Sequence, residues 1–135
     1  MTSTASNSSS IYYSPKTLDR AARAVRCAPF RLKLYAAMMT QSISLRTIAG
    51  PGGLQNQYSQ RSLTELVAES ELLWLMQVGL LRREVDGQGL TDSFRLTPLG
   101  RQLVIHWQAS GGANLRPSLG DRFYNAVSRW LRSPF

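Results

Sequence analysis

The stretch Leu80 to Val104, LLRREVDGQGLTDSFRLTPLGRQLV, constrains the fold most, because it reads as strand, loop, strand and capped helix in immediate succession. Gly79 stands where a residue in the left-handed region would end the apolar helix before it. Leu80 to Val85 then runs extended, with Leu81 and Val85 separated by the charged Arg83. Asp86-Gly87-Gln88-Gly89-Leu90-Thr91-Asp92 carries the glycines and Asx residues of a flexible loop. Beyond it Phe94 and Leu96 face one way and Arg95 the other, as the alternation of a strand requires. Thr97 is a natural N-cap and Pro98 suits the first helical position, after which Leu99, Leu103 and Trp107 form an i, i+4, i+8 apolar stripe.

This run resembles the bacterial winged helix-turn-helix regulators of the MarR, ArsR and PadR kind. In those families a helix ends in a Gly-Leu step, here Gly79-Leu80, and a β-hairpin wing follows. The second wing strand then runs into a motif like RLTPLG, here Arg95 to Gly100. The resemblance covers the middle and later third of the chain. It implies a mainly α fold with a small β-hairpin: a winged helix-turn-helix with extra N- and C-terminal helices. DNA binding is the usual function of such domains, but winged helices also serve as protein-interaction modules, so the fold alone fixes no function.

The remaining chain is organised around that unit. Residues 1–13 are polar and of low complexity, and the expectation is a disordered tail. Residues 14–109 form the winged-helix domain with its N-terminal helical extension, and residues 110–135 form a linker and a C-terminal amphipathic helix. Ser14 and Pro15 open a helix through Cys27, with Leu18, Ala22 and Val25 on one side. Pro29 breaks it, and Phe30, Leu34, Ala37, Met38 and Gln41 define the inward face of a second helix to about Thr40. Leu45 and Ile48 suit a brief third helix over Ser44 to Ala49, which Gly50-Pro51-Gly52-Gly53 terminates, and Leu54 to Gln60 reads as a long polar connection. Ser62-Leu63-Thr64-Glu65 has the pattern of a capping box. On the helix that follows, Leu63, Val67, Ser70 and Trp74 share one face while Leu72 and Leu75 lie opposite. That requires either one helix packed on two sides in its C-terminal half, which is the expectation, or a break at Glu69-Ser70-Glu71.

Charge is the strongest compositional signal. Sixteen Lys and Arg against eight Asp and Glu give +8, and fourteen of the sixteen are Arg, the side chain suited to bidentate phosphate or carboxylate contacts. Lys16, Arg20, Arg23 and Arg26 recur every three or four residues and share a helix face. Arg82, Arg83 and Arg95 cluster on the wing. Arg20, Arg23, Arg26, Arg82, Arg83 and Arg95 are therefore the candidate contacts to double-stranded DNA, against the plain alternative of solvated faces. The helix after Ser62 speaks the other way. Glu65, Glu69 and Glu71 would repel phosphates where a groove-reading helix normally offers donors.

The C-terminal segment supplies a second candidate surface. Phe123, Val127, Trp130 and Leu131 form an i, i+4, i+7, i+8 apolar stripe with Arg122, Arg129 and Arg132 nearby. It is expected to pack onto its own domain or across a homodimer, the alternative being a helix lying on an anionic membrane. No transmembrane span or secretory signal is visible, and the single Cys27 excludes an intramolecular disulfide and a Cys-based metal site, so the expected setting is the cytoplasm. The lone His106 has no carboxylate or Cys near it in sequence, and Gly50 to Gly53 lacks the ending of a phosphate loop. No catalytic residues, cofactor or metal site are expected. Two readings stand: a DNA-binding transcriptional regulator, and a winged-helix module that holds an acidic or helical protein partner.

Overall fold

A computed structural model of the chain describes residues 13–110 and 119–132. The tail expected before Tyr13 and the linker expected after Ser110 lie outside the described residues. Tyr13 itself, assigned to that tail by composition, packs against the core. The described chain is mostly helical, with one small antiparallel sheet.

Helix α1 (Pro15–Cys27) begins where the Ser14 hydroxyl accepts from the Thr17 amide, and it buries Ala21, Ala24 and Val25. These are small or β-branched side chains, so the helix packs close against the body while Leu18 and Ala22 sit at the core margin. After Pro29 comes α2 (Leu32–Ala37), whose Leu34 and Tyr35 are buried together with Phe30 and Met38. It ends earlier than the apolar spacing predicts. Gln41, placed on the inward face by periodicity, is exposed because the chain has already left the helix to form β1 (Ile43–Ser44).

Helix α3 (Leu45–Ile48) is capped by the Ser44 hydroxyl, which accepts from the Thr47 amide. The glycine-rich run that follows ends α3 as expected, but it also starts a helix of its own. Gly50 to Gln55 coil into α4, with Gly50 at φ +72 supplying the change of direction and Gly53 seated on the Ile48 carbonyl. The expected long connection begins later, at Asn56, runs to Thr64 and is tied down. The Arg31 amide donates to the Tyr58 carbonyl at 2.9 Å, and the Gln60 amide to the Pro29 carbonyl at 2.9 Å.

Helix α5 (Glu65–Gln77) is a single helix buried on two sides in its C-terminal half, through Leu72, Trp74 and Leu75. Its cap is Thr64, whose hydroxyl accepts from the Val67 amide, and not Ser62, so the expected capping box does not form. It closes in a Schellman motif around Gly79 at φ +87, with the Leu80 amide reaching the Leu75 carbonyl and the Gly79 amide the Met76 carbonyl. The hairpin β2 (Leu81–Asp86) and β3 (Gly89–Leu96) is longer than the sequence suggests. Asp86 pairs with Gly89 and Val85 with Leu90, so the expected seven-residue loop is a turn at Gly87-Gln88, secured by the Gln88 amide donating to the Asp86 carboxylate at 2.7 Å. β3 is the central strand, in the order β1-β3-β2, with Ile43 opposite Phe94.

The Thr97 hydroxyl caps α6 (Pro98–Ala109), which buries Leu99, Val104 and Trp107, and α7 (Leu119–Arg132) follows. Because a methyl group at Gly53 would collide with the Ile48 backbone while one at Gly52 would meet nothing within 4 Å, the two neighbours make a paired test. Gly53→Ala should lower unfolding free energy by about 3 kcal/mol, read by chemical denaturation, whereas Gly52→Ala should leave it unchanged or slightly raised.

Candidate functional site

The C-terminal helix docks with the face opposite to the one its sequence advertises. Asp121, Asn125 and Arg129 recur at i, i+4, i+8 and so share a polar stripe. That stripe meets the body. The Arg26 guanidinium donates to both Asp121 carboxylate oxygens, at 2.8 and 2.9 Å. The Trp74 indole N–H donates to the Asn125 side-chain oxygen at 2.9 Å. Arg129 donates to the Glu71 carboxylate at 3.1 Å and to the Ser70 hydroxyl at 2.9 Å, with its guanidinium over the Trp74 ring.

The apolar stripe consequently points outward: of the two expected placements, on its own domain or across a homodimer, the fold rules out the first. Phe123, Trp130 and Leu131 are 66%, 67% and 70% exposed, and Val127 is 38% exposed. The seam residues Asp121 and Asn125 escaped the sequence reading because they are polar and fall between conspicuous aromatics. Their spacing of four was the available signal.

The basic face of α1 turns toward this helix. Arg26 is paired with Asp121, and Arg23 lies over the Tyr124 ring with 5.1 Å to its centroid. Lys16, Arg20 and Arg23 line an open groove of about 630 Å³ whose other wall is Tyr124, Ser128 and Leu131. Three of the four cations read as one face thus remain together, and the fourth holds α7 in place. The Asp121 hydrogen bond also raises the Arg26 pKa above its ordinary value, the largest effect on that group, against opposition from burial. Burial likewise pushes the neighbouring Cys27 thiol up, with the Asp121 charge adding to it.

The hairpin arginines fare differently from one another. Arg83 is committed to the hairpin, donating to the Thr91 carbonyl at 3.1 Å and the Asp92 carboxylate at 3.2 Å, and stacking over the Phe94 ring. Arg95 approaches Glu84 at 3.7 Å, an ion pair beyond hydrogen-bond distance. Arg82 stands directly across the strand pair from Arg95 and is exposed. Like charges so placed repel, which the Glu84 carboxylate offsets on one side.

Helix α5 presents a face of another character. Glu65, Leu66, Val67, Ser70 and Leu73 are exposed, Leu66 at 78%. Of the three glutamates on this helix, Glu71 is turned to Arg129, and Glu65 lines a cleft of about 300 Å³ with Ser44, Leu45, Arg46 and Asp92. Among the described residues, no three His, Cys, Asp or Glu side chains are grouped to hold a metal ion, and no helix is long and apolar enough to cross a membrane.

A raised thiol pKa means less thiolate at neutral pH, so alkylation of Cys27 by iodoacetamide should be slow at pH 7 and accelerate only above the usual thiol range. Asp121→Asn removes one cause of that shift and weakens the seam by about 1 kcal/mol. Cys27 alkylation should therefore quicken in this variant while the melting temperature of the body barely moves.

The family model described as Npun_F0494-like matches residues 11–129, a span running from just before α1 almost to the end of α7. No curated protein and no solved structure matches the chain.

Proposed function

We propose that this chain, which belongs to the Npun_F0494-like family, is a winged-helix module that binds a protein partner through α5 instead of reading DNA with it. The element order supports the winged-helix assignment: α2, β1, α3, the short inserted α4, α5 and then a hairpin whose second strand pairs with β1. In a winged helix of this order, α5 occupies the position of the recognition helix.

One observation carries the choice between the two functions, namely the side chains α5 offers to solvent. Leu66, Val67 and Leu73 make it apolar, and Glu65 makes it acidic. Major-groove readout needs donors and cations, and a carboxylate forfeits part of the counterion-release energy on which duplex affinity rests. Exposed leucines beside the Glu65 carboxylate instead suit a partner surface that is apolar at its centre and basic at its edge. The neutralised arginines agree with this. Arg26, Arg83 and Arg95 each have an acid at hand within the chain, which lowers their value to a phosphate.

The DNA-binding reading keeps two supports: Arg82 is exposed on the hairpin, on the strand face it shares with Arg95, and Lys16, Arg20 and Arg23 stay together along the groove beside α7. Two measurements separate the readings. A photo-crosslinking side chain at position 66 should capture a defined protein, and Glu65→Gln with Leu66→Ala should weaken that complex by at least about tenfold. Duplex binding should be weak, steeply salt-dependent and indifferent to the change on α5. Tight, sequence-selective duplex binding abolished by Arg82→Ala would make the protein a DNA-binding regulator and remove the proposal.

A further inference from the structure

We propose that the outward face of α7, together with the cationic groove beside it, is a docking surface for an anionic lipid bilayer. Interfacial helices present an apolar stripe carrying aromatic residues between basic margins. Here Phe123, Val127, Trp130 and Leu131 form the stripe, all exposed. Tyr124 and Leu131 form one edge, and the same two residues line the groove that holds Lys16, Arg20 and Arg23 beside Asp19. On the far margin Arg122 is exposed. The apolar surface and the cations are therefore contiguous, so acyl chains and headgroup phosphates can be met at once.

The seam under the helix adds a geometric reason. Asp121, Asn125 and Arg129 hold α7 to the body by its polar face, so the helix is already formed and oriented before any encounter. An amphipathic peptide normally has to fold as it binds, and this one does not. A second copy of the chain is disfavoured by charge, since stripe-to-stripe pairing would bring the two sets of basic margins together in a protein of net charge +8.

The test is flotation of the full chain with vesicles of phosphatidylcholine alone and with about one-third phosphatidylglycerol added. The protein should float with the anionic vesicles only, and high salt should release it. Phe123→Ser with Trp130→Ser, and separately Lys16→Gln with Arg23→Gln, should each weaken binding on the order of tenfold or more, with far-UV circular dichroism unchanged. Quenching by brominated acyl chains in the unaltered protein keeps the test independent of any variant. Trp74 and Trp107 are buried, so quenching should come from Trp130. No flotation at low salt, equal flotation with neutral vesicles, or no effect of either variant overturns the proposal. So does a homodimer, or a complex with another protein, that Trp130→Ser dissociates while no vesicle is bound.

Discussion

The architecture depends on a clasp at Thr97, where four elements converge. The Thr97 hydroxyl donates to the carbonyl of Gly79 and accepts from the amide of Gly100, while the Thr97 amide donates to the Leu80 carbonyl at 3.0 Å. The end of α5, the entry to β2, the exit of β3 and the start of α6 are thereby fixed by one residue. Each group involved is a helix-terminal or strand-terminal backbone group without a partner inside its own element, so the clasp resolves several otherwise orphaned bonds together. It also requires close approach. A β-carbon at Gly100 would lie 2.5 Å from the Leu80 oxygen, which is why a glycine follows Leu99 here.

From that clasp the rest of the core follows by short steps. β3 leaves it carrying Leu96 and Phe94 inward, and Phe94 meets Ile43 across the pair with β1. β1 in turn delivers Ser44 as the cap of α3. The inward faces of α2 and α5 close over these residues with Leu34, Tyr35, Leu72 and Leu75. Tyr35 is fully enclosed, and burial raises its phenol pKa, with the Glu71 charge adding to the effect.

The elements that meet at the clasp could be read from the amino-acid order because their determinants are local, whereas the bonds that join them span 17 and 18 residues. Gly79 after an apolar helix, alternation through Phe94 and Leu96, and Thr97-Pro98 each declare their backbone geometry within a few residues. α1 was equally plain from Ser14-Pro15. What could not be read was decided at a distance. Thr64 caps α5 in preference to Ser62, although both carry a hydroxyl, because Leu63 between them is drawn into the core and helical geometry begins only beyond Thr64. Gly50 to Gly53 coils instead of unravelling because Gly53 can lie against the Ile48 carbonyl, a tertiary approach no propensity records. For α7, amphipathicity identified the helix but not the polar face by which it docks on its own domain. Periodicity measures only which side chains avoid water, whereas Arg26, Trp74 and Glu71 on other elements provided a specific set of polar partners. The candidate surfaces divide in the same way: the exposed stripe residues were named from spacing, while the pairing of Arg26, Arg83 and Arg95 with acids depended on the fold.

A helix attached by hydrogen bonds and ion pairs, with its apolar side turned outward, has an unusual thermodynamic character. Its detachment would uncover little hydrocarbon beyond the Trp74 ring, so the opening would carry a small heat-capacity change and a shallow dependence on denaturant. The remainder of the molecule, closed around buried leucines and aromatics, has the opposite character. α7 thus forms a unit of stability distinct in kind from the core, held in place by directional polar bonds and not by hydrocarbon burial.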